Sequence, residues 1–111
     1  ISFFAEQINI LHQLKVNDII LDVGFGFGKT IEHNFELLKN LSLFKSLDAP
    51  MLAGVSRKSM LYKTLDTTAQ EALNATTSAN TIALLNGAKI LRVHDVKEAV
   101  EAVKIVNQIS F

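Results

Sequence analysis

Three short apolar runs in this chain each end in a burst of polar chemistry. Residues 19–21 lead into Asp22 and then into Gly24-Phe25-Gly26-Phe27-Gly28-Lys29. Residues 51–53 lead into Gly54-Val55-Ser56-Arg57-Lys58-Ser59, and residues 89–91 into Arg92-Val93-His94-Asp95. A carboxylate, a lysine and an Arg/His pair, each just past an apolar run, are equipment for binding a charged substrate in one cleft. The runs recur at about the length of a strand-plus-helix unit, roughly 30 residues or more.

Each cluster has more than one reading. The glycine stretch invites a phosphate loop, but the Walker spacing needs glycine where Val23 stands, and the dinucleotide fingerprint would need one at Lys29. A flexible lid fits better, with Phe25 or Phe27 stacking on a planar ligand and the other ring filling core. Asp22 can accept two parallel N–H bonds from a heterocyclic amidine, or it can cap its own loop. Arg57 and Lys58 alone would read as a solvated basic turn. Arg92 and His94, two apart on a strand, share a face and suit a diphosphate; the alternative is a salt bridge to Asp95 or Asp22. His12, His33 and His94 lack metal-ligand spacing.

The elements that must position these groups follow from periodicity. Phe3, Phe4, Ile8, Leu11 and Leu14 mark an amphipathic helix. Residues 18–22 read as a buried strand, 23–30 as a loop and 32–47 as a helix with Phe35, Leu38, Leu41 and Phe44 inward. Pro50 introduces a strand over 51–55, followed by a loop over 56–59 and a short turn within 60–67. Thr68 and Glu71 have capping-box spacing, so a long helix is predicted from there to Asn86, with Gly87 ending it. A third strand covers 88–93. Asp95 and Glu98 precede a last helix over 96–107, with Val100, Val103 and Val106 on one stripe. Alternation of this kind implies an α/β fold with parallel strands, whose C-terminal ends share one edge where ligands bind.

Composition narrows the classes. The chain has 111 residues, 49% of them apolar, which is enough for a core. Eleven basic and 11 acidic residues cancel, so the basic excess of a nucleic-acid binder is missing. With no cysteine there is no disulfide or thiolate metal site, and a reducing, cytoplasmic setting is expected. No apolar run approaches the about 18 residues of a membrane helix. The start, Ile1-Ser2-Phe3-Phe4, has neither a signal-peptide pattern nor an initiator Met, so the chain is expected to begin inside a longer protein.

Taken jointly, the three motifs resemble dihydropteroate synthase. That family carries Asp-Pro-Gly-Phe-Gly-Phe-Gly-Lys, Gly-x-Ser-Arg-Lys-Ser and Arg-Val-His-Asp-Val in this order, matched here by residues 22–29, 54–59 and 92–96. Asn34, Leu37-Leu38 and Gly87-Ala88 also look like the family. The resemblance implies that residues 1–111 form the C-terminal portion of a pterin-binding (β/α)₈ TIM barrel: a helix followed by three βα units.

It also implies a transferase of folate synthesis. 7,8-Dihydropterin-6-ylmethyl diphosphate would condense with 4-aminobenzoate, with which sulfonamides compete, giving dihydropteroate and diphosphate. By that likeness Asp22 would bind the pterin's amino-pyrimidine edge, Lys58 would position the pterin, and Gly54 would leave it room. Phe27 would pack on the aminobenzoate ring, with Ser59 and Arg57 near its carboxylate. Arg92 and His94 would hold the diphosphate beside Mg²⁺, whose protein ligand would lie outside this chain.

Two departures bear on this. Val23 replaces the family's proline, and the first half of the barrel is missing. Little catalysis by the chain alone is therefore expected, together with self-association through uncovered strand edges. The rivals are a non-catalytic pterin- or anion-binding scaffold, a Schiff-base aldolase using Lys58, and a pterin-dependent methyltransferase.

Overall fold

The computed structural model describes residues 1–26 and 28–109. Among the described residues five α-helices and three strands follow in the order α1 (Ser2–Gln13), β1 (Leu21–Asp22), α2 (Ile31–Lys39), β2 (Met51–Ala53), α3 (Ser59–Thr64), α4 (Leu73–Leu85), β3 (Ala88–Leu91) and α5 (Val96–Asn107). Short 3₁₀ helices at Leu41–Leu47 and Ala69–Glu71 complete the path. The strands form one parallel sheet in the order β1-β2-β3. Leu21 pairs with Met51, and Ala53 with Leu91; a bulge where Met51 opposes Ala88 and Leu52 opposes Ile90 leaves Lys89 as the extra residue. The α/β alternation and the shared strand direction are those expected from periodicity.

The strands are shorter than expected. Pro50 has no N–H to donate, so the β1–β2 ladder starts at Met51, with Leu21 N–H bonding the Pro50 carbonyl at 2.8 Å. Ile20, on the open side of this edge strand, is 56% exposed. Leu21, Val23, Phe25, Met51, Ala53 and Val55 turn their side chains into the core beneath α2, α3 and α4.

Two expectations about helices are corrected. The helix read over 32–47 breaks at Asn40, because the side chain of Asn86 donates to the Leu38 carbonyl at 2.8 Å and closes the end of α2. The long helix expected from Thr68 begins instead at Leu73, and Thr68 makes no side-chain cap. The carbonyls of Ala69 and Gln70 are taken by the Arg57 guanidinium, at 2.7 and 3.0 Å, which limits that segment to one tight turn. On α5 the buried positions are Ala99 and Ala102, whereas Val100 is 45% exposed. Val100, Val103 and Val106 share one stripe, as expected, and that stripe lines an open hollow of about 680 Å³ between β3 and α5.

Candidate functional site

The three motifs meet at the C-terminal ends of the strands. Asp22 ends β1, Gly54 follows β2, and Arg92 follows β3. Arg92 reaches over Gly54 to Asp22, with Nη1 2.9 Å from Oδ2. The approach depends on glycine, because a Cβ at position 54 would lie 2.4 Å from Arg92 Nη2. The other Asp22 oxygen accepts the Gly24 N–H at 3.1 Å. Asp22 therefore caps its loop, the alternative to amidine binding, and pairs with Arg92, the alternative to diphosphate binding by that arginine.

Lys58 enters from the β2–α3 loop. Its Nζ donates to the Phe25 carbonyl, and its stem packs where a Cβ on Gly26 would stand, 3.3 Å from Cδ. Lys29 Nζ donates to the Gly24 carbonyl at 2.8 Å. Arg92 and Lys58 thus act on one carboxylate, with Lys29 felt by Lys58, a balance suited to an anionic ligand. Burial pushes the Asp22 carboxyl up. The Arg92 hydrogen bond, the Gly24 N–H and the charges of Arg92 and Lys58 outweigh it and hold the group below its ordinary value. Lys58 is lowered, mainly by burial and then by the Arg92 charge, with Asp22 opposing and Lys29 reinforcing.

Behind this cluster lies a brace. Arg57 grips Asp95 with two bonds, Nε to Oδ2 at 2.9 Å and Nη2 to Oδ1 at 3.0 Å, while Nη1 holds the Ala69 and Gln70 carbonyls. Its backbone has φ +55°, a left-handed conformation that costs a non-glycine residue roughly 1–3 kcal/mol. The Arg57 N–H is received by Thr76 Oγ1 at 3.0 Å. The Arg57 hydrogen bond lowers the Asp95 carboxyl, and the same bond raises the guanidinium. Asp95 is thereby withdrawn from α5, which starts without a side-chain cap.

The other expected residues sit around this core. Ser59 is exposed at the first position of α3. Phe25 is 1% exposed and fills core. Phe27, the aromatic expected against a ligand ring, lies outside the described residues. Arg92 and His94 diverge: Arg92 crosses to β1, while His94 Nδ1 lies 2.7 Å from Ser56 Oγ. β3 ends at Leu91, so the two-residue alternation that would align them no longer applies. Asn34, Ser56 and Thr76 are supporting residues that sequence reasoning did not select for function. Asn34 Oδ1 receives the Gly26 N–H at 2.8 Å and anchors the glycine loop. Asn34 and Ser56 are visible in the sequence only as part of the family resemblance, and Thr76 only as a polar residue at an inward position.

Two hollows among the described residues lie away from the polar cluster, beside α5 and between α2, α3 and α4. The strand-end site is an open surface, with Asp22 and Arg92 side chains 41% and 52% exposed. Among the described residues no group of three or more His, Cys, Asp or Glu could hold a metal ion, and no helix is long and apolar enough to cross a membrane.

A parallel sheet whose strand ends present an acid and several cations defines a class that comparison with known proteins makes specific. The chain belongs to the pterin-binding enzyme family, whose profile matches residues 1–94. Its curated relatives include the dihydropteroate synthase of Escherichia coli K12, 43% identical over 106 residues, which cover 94% of this chain and 38% of that protein. The bifunctional dihydropteroate synthase/dihydropteroate reductase of Helicobacter pylori is 43% identical over 103 residues, 93% of this chain and 27% of that one. Among solved structures, Yersinia pestis dihydropteroate synthase with a pterine-sulfa conjugate superposes with a TM-score of 0.92 at 40% identity, covering 97% of this chain and 44% of that chain. The chain thus spans less than half the length of these relatives.

Proposed function

We propose that residues 1–111 are the C-terminal portion of the (β/α)₈ barrel of a dihydropteroate synthase and carry part of its substrate surface. The observation that carries this reading is the meeting of Asp22, Lys58 and Arg92, from three separate strand ends, in one cluster. The names and shared folds of the relatives support it.

In this reading Asp22 exchanges its Arg92 partner for the amino-pyrimidine edge of the pterin. That edge offers two parallel N–H donors, the geometry a carboxylate accepts from a guanidinium. Arg92, once released, turns with His94 to the diphosphate. Lys58 borders the pterin, Gly54 gives the flat ring access, and Ser59 and Phe27 face the aminobenzoate. Arg57 has its hydrogen bonds committed to Asp95 and two carbonyls, and is assigned to holding the loops rather than to the carboxylate of aminobenzoate.

The chemistry suits such residues. The bond from the methylene carbon to the diphosphate oxygen breaks, and the leaving group takes the electron pair. The aniline nitrogen forms the new C–N bond and sheds a proton, so no strong base is required. Donors that stabilise the departing charge are worth about 3–4 kcal/mol each where well placed. Asp22 and Asp95 are each held by an arginine and offer no cradle for Mg²⁺. That ion enters the proposal only as one bound by a ligand from outside the chain, and no step is assigned to it.

Partners in this reading are the two small-molecule substrates, together with the missing barrel half or a second copy. A cytoplasmic setting completes it. Calorimetry with 6-hydroxymethylpterin and with pyrophosphate tests the assignment. Binding of either by the wild-type chain, weakened in Asp22→Ala for pterin and Arg92→Ala for pyrophosphate, is expected. Binding of neither removes the assignment. Sustained turnover by the chain alone refutes the incomplete-site reading.

A further inference from the structure

Ser56 belongs to the buried Gly54-Val55-Ser56 segment and is 6% exposed. Its Oγ makes two contacts with one residue across the sheet end. The backbone N–H of His94 donates to it at 3.3 Å, and His94 Nδ1 lies 2.7 Å away. A backbone N–H can only donate, so one lone pair of Oγ is taken. The hydroxyl proton must go to an acceptor, and among the contacts of Ser56 only the imidazole Nδ1 can serve. If Nδ1 instead carried the proton, Ser56 would receive two donors and its own hydroxyl proton would be buried without an acceptor, which is costly. The ring is therefore fixed with Nδ1 accepting and Nε2 bearing the hydrogen. His94 is exposed and among the described residues its Nε2 has no hydrogen-bond partner, so this N–H is available to a ligand.

We propose that Ser56 is a positioning residue that locks His94 in the Nε2–H tautomer and so makes the neutral imidazole a hydrogen-bond donor to a phosphoryl oxygen at the strand ends. The inference deepens the diphosphate role given above to Arg92 and His94 and rests on it for the ligand. Without Ser56 a neutral histidine can turn an unprotonated, acceptor nitrogen toward the anion. With Ser56 in place that orientation is excluded before the ligand arrives, which is preorganisation of a donor.

The test is long-range ¹H–¹⁵N correlation on ¹⁵N-histidine-labelled wild-type protein at pH 8, above the ordinary histidine range of about 6.5. The His94 signals are assigned by their loss in His94→Gln. A pyridine-type Nδ1 and a pyrrole-type Nε2 are expected, and the reverse pattern overturns the proposal without recourse to any Ser56 variant. In Ser56→Ala the tautomers should mix and pyrophosphate affinity should fall roughly 2- to 13-fold, the loss of one ordinary hydrogen bond. Ser56→Thr, which keeps the hydroxyl, should restore both. An unchanged tautomer in Ser56→Ala also overturns the proposal. If pyrophosphate binds neither wild type nor variants while the Nε2–H pattern holds, the diphosphate reading falls and only the ring-locking part stands.

Discussion

Replacing Gly54 with alanine separates the stability of the chain from its anion chemistry. The added methyl would lie 2.4 Å from Arg92 Nη2, 2.9 Å from Cζ and 3.1 Å from Nε. Ordinary carbon contacts begin near 3.4 Å, so the guanidinium must retreat by about 1 Å or more. Gly54 is not among the positive-φ residues, so the backbone accepts alanine and Arg92 has to move. The Asp22–Arg92 pair is half-exposed, and its loss costs about 0.2–1 kcal/mol. Alanine returns about 0.4–1 kcal/mol by restricting the unfolded chain. The two nearly cancel, and Tm should move by no more than about 8 °C. Anion binding has no such offset. A hydrogen bond from a charged donor contributes about 1.5–3 kcal/mol, so displaced Arg92 should weaken pyrophosphate binding about 10- to 150-fold by calorimetry. Deprived of its main stabilising partner, the Asp22 carboxyl should titrate closer to the ordinary carboxylate range in NMR. An unchanged pyrophosphate Kd together with an unchanged Asp22 titration would refute the reasoning.

Phe25→Ala should cost about 3–5 kcal/mol in urea unfolding, because the ring is fully enclosed; a loss below 1 kcal/mol would mean that the glycine loop is not anchored in the core. Acid should destabilise the fold through Asp22 and Asp95, whose carboxyls are lowered in the folded state. Depressed folded pKa values mean that this stabilisation is fully present above about pH 4 and is lost as pH falls through the folded values. A Tm that stays flat from pH 5 to pH 2.5 would contradict it. Arg57→Lys should not rescue Arg57→Ala, since an ammonium cannot bond both Asp95 oxygens and two carbonyls at once. Both variants should lower Tm and return the Asp95 titration toward that of a free carboxylate, whereas full rescue by lysine would show that charge alone matters.

The alternation of elements was legible because each apolar run is short, bounded by glycine or proline, and followed by a helix-period segment. Asp22, Lys58 and Arg92 were legible as a set, since parallel strands leave their C-terminal ends on one edge. What escaped was decided by groups distant in sequence. The Thr68–Glu71 spacing is a valid cap signal, but Arg57 takes the carbonyls of Ala69 and Gln70 and the helix waits until Leu73. Asp95 looked like a cap and is held by the same arginine. The break after Lys39 depends on Asn86, 48 residues from its acceptor. Phe25 and Phe27 are equivalent by spacing, and packing alone shows that Phe25 is buried. Ser56 gave no sign of its tie to His94, because a serine among polar residues has no pattern of its own.

The contacts that build the site are long in chain terms: 70 residues separate Asp22 from Arg92, and 38 separate Arg57 from Asp95. During synthesis at about 5–20 residues per second, Arg92 is added roughly 3.5 to 14 s after Asp22. Over that interval the nascent chain can bury Leu21 and Met51, but the carboxylate at its strand end waits without its arginine. A ribosome stalled before residue 88 would therefore hold a chain with β1 and β2 but without Arg92 and His94. The pairing of the first motif with the last marks the moment when translation has delivered all three.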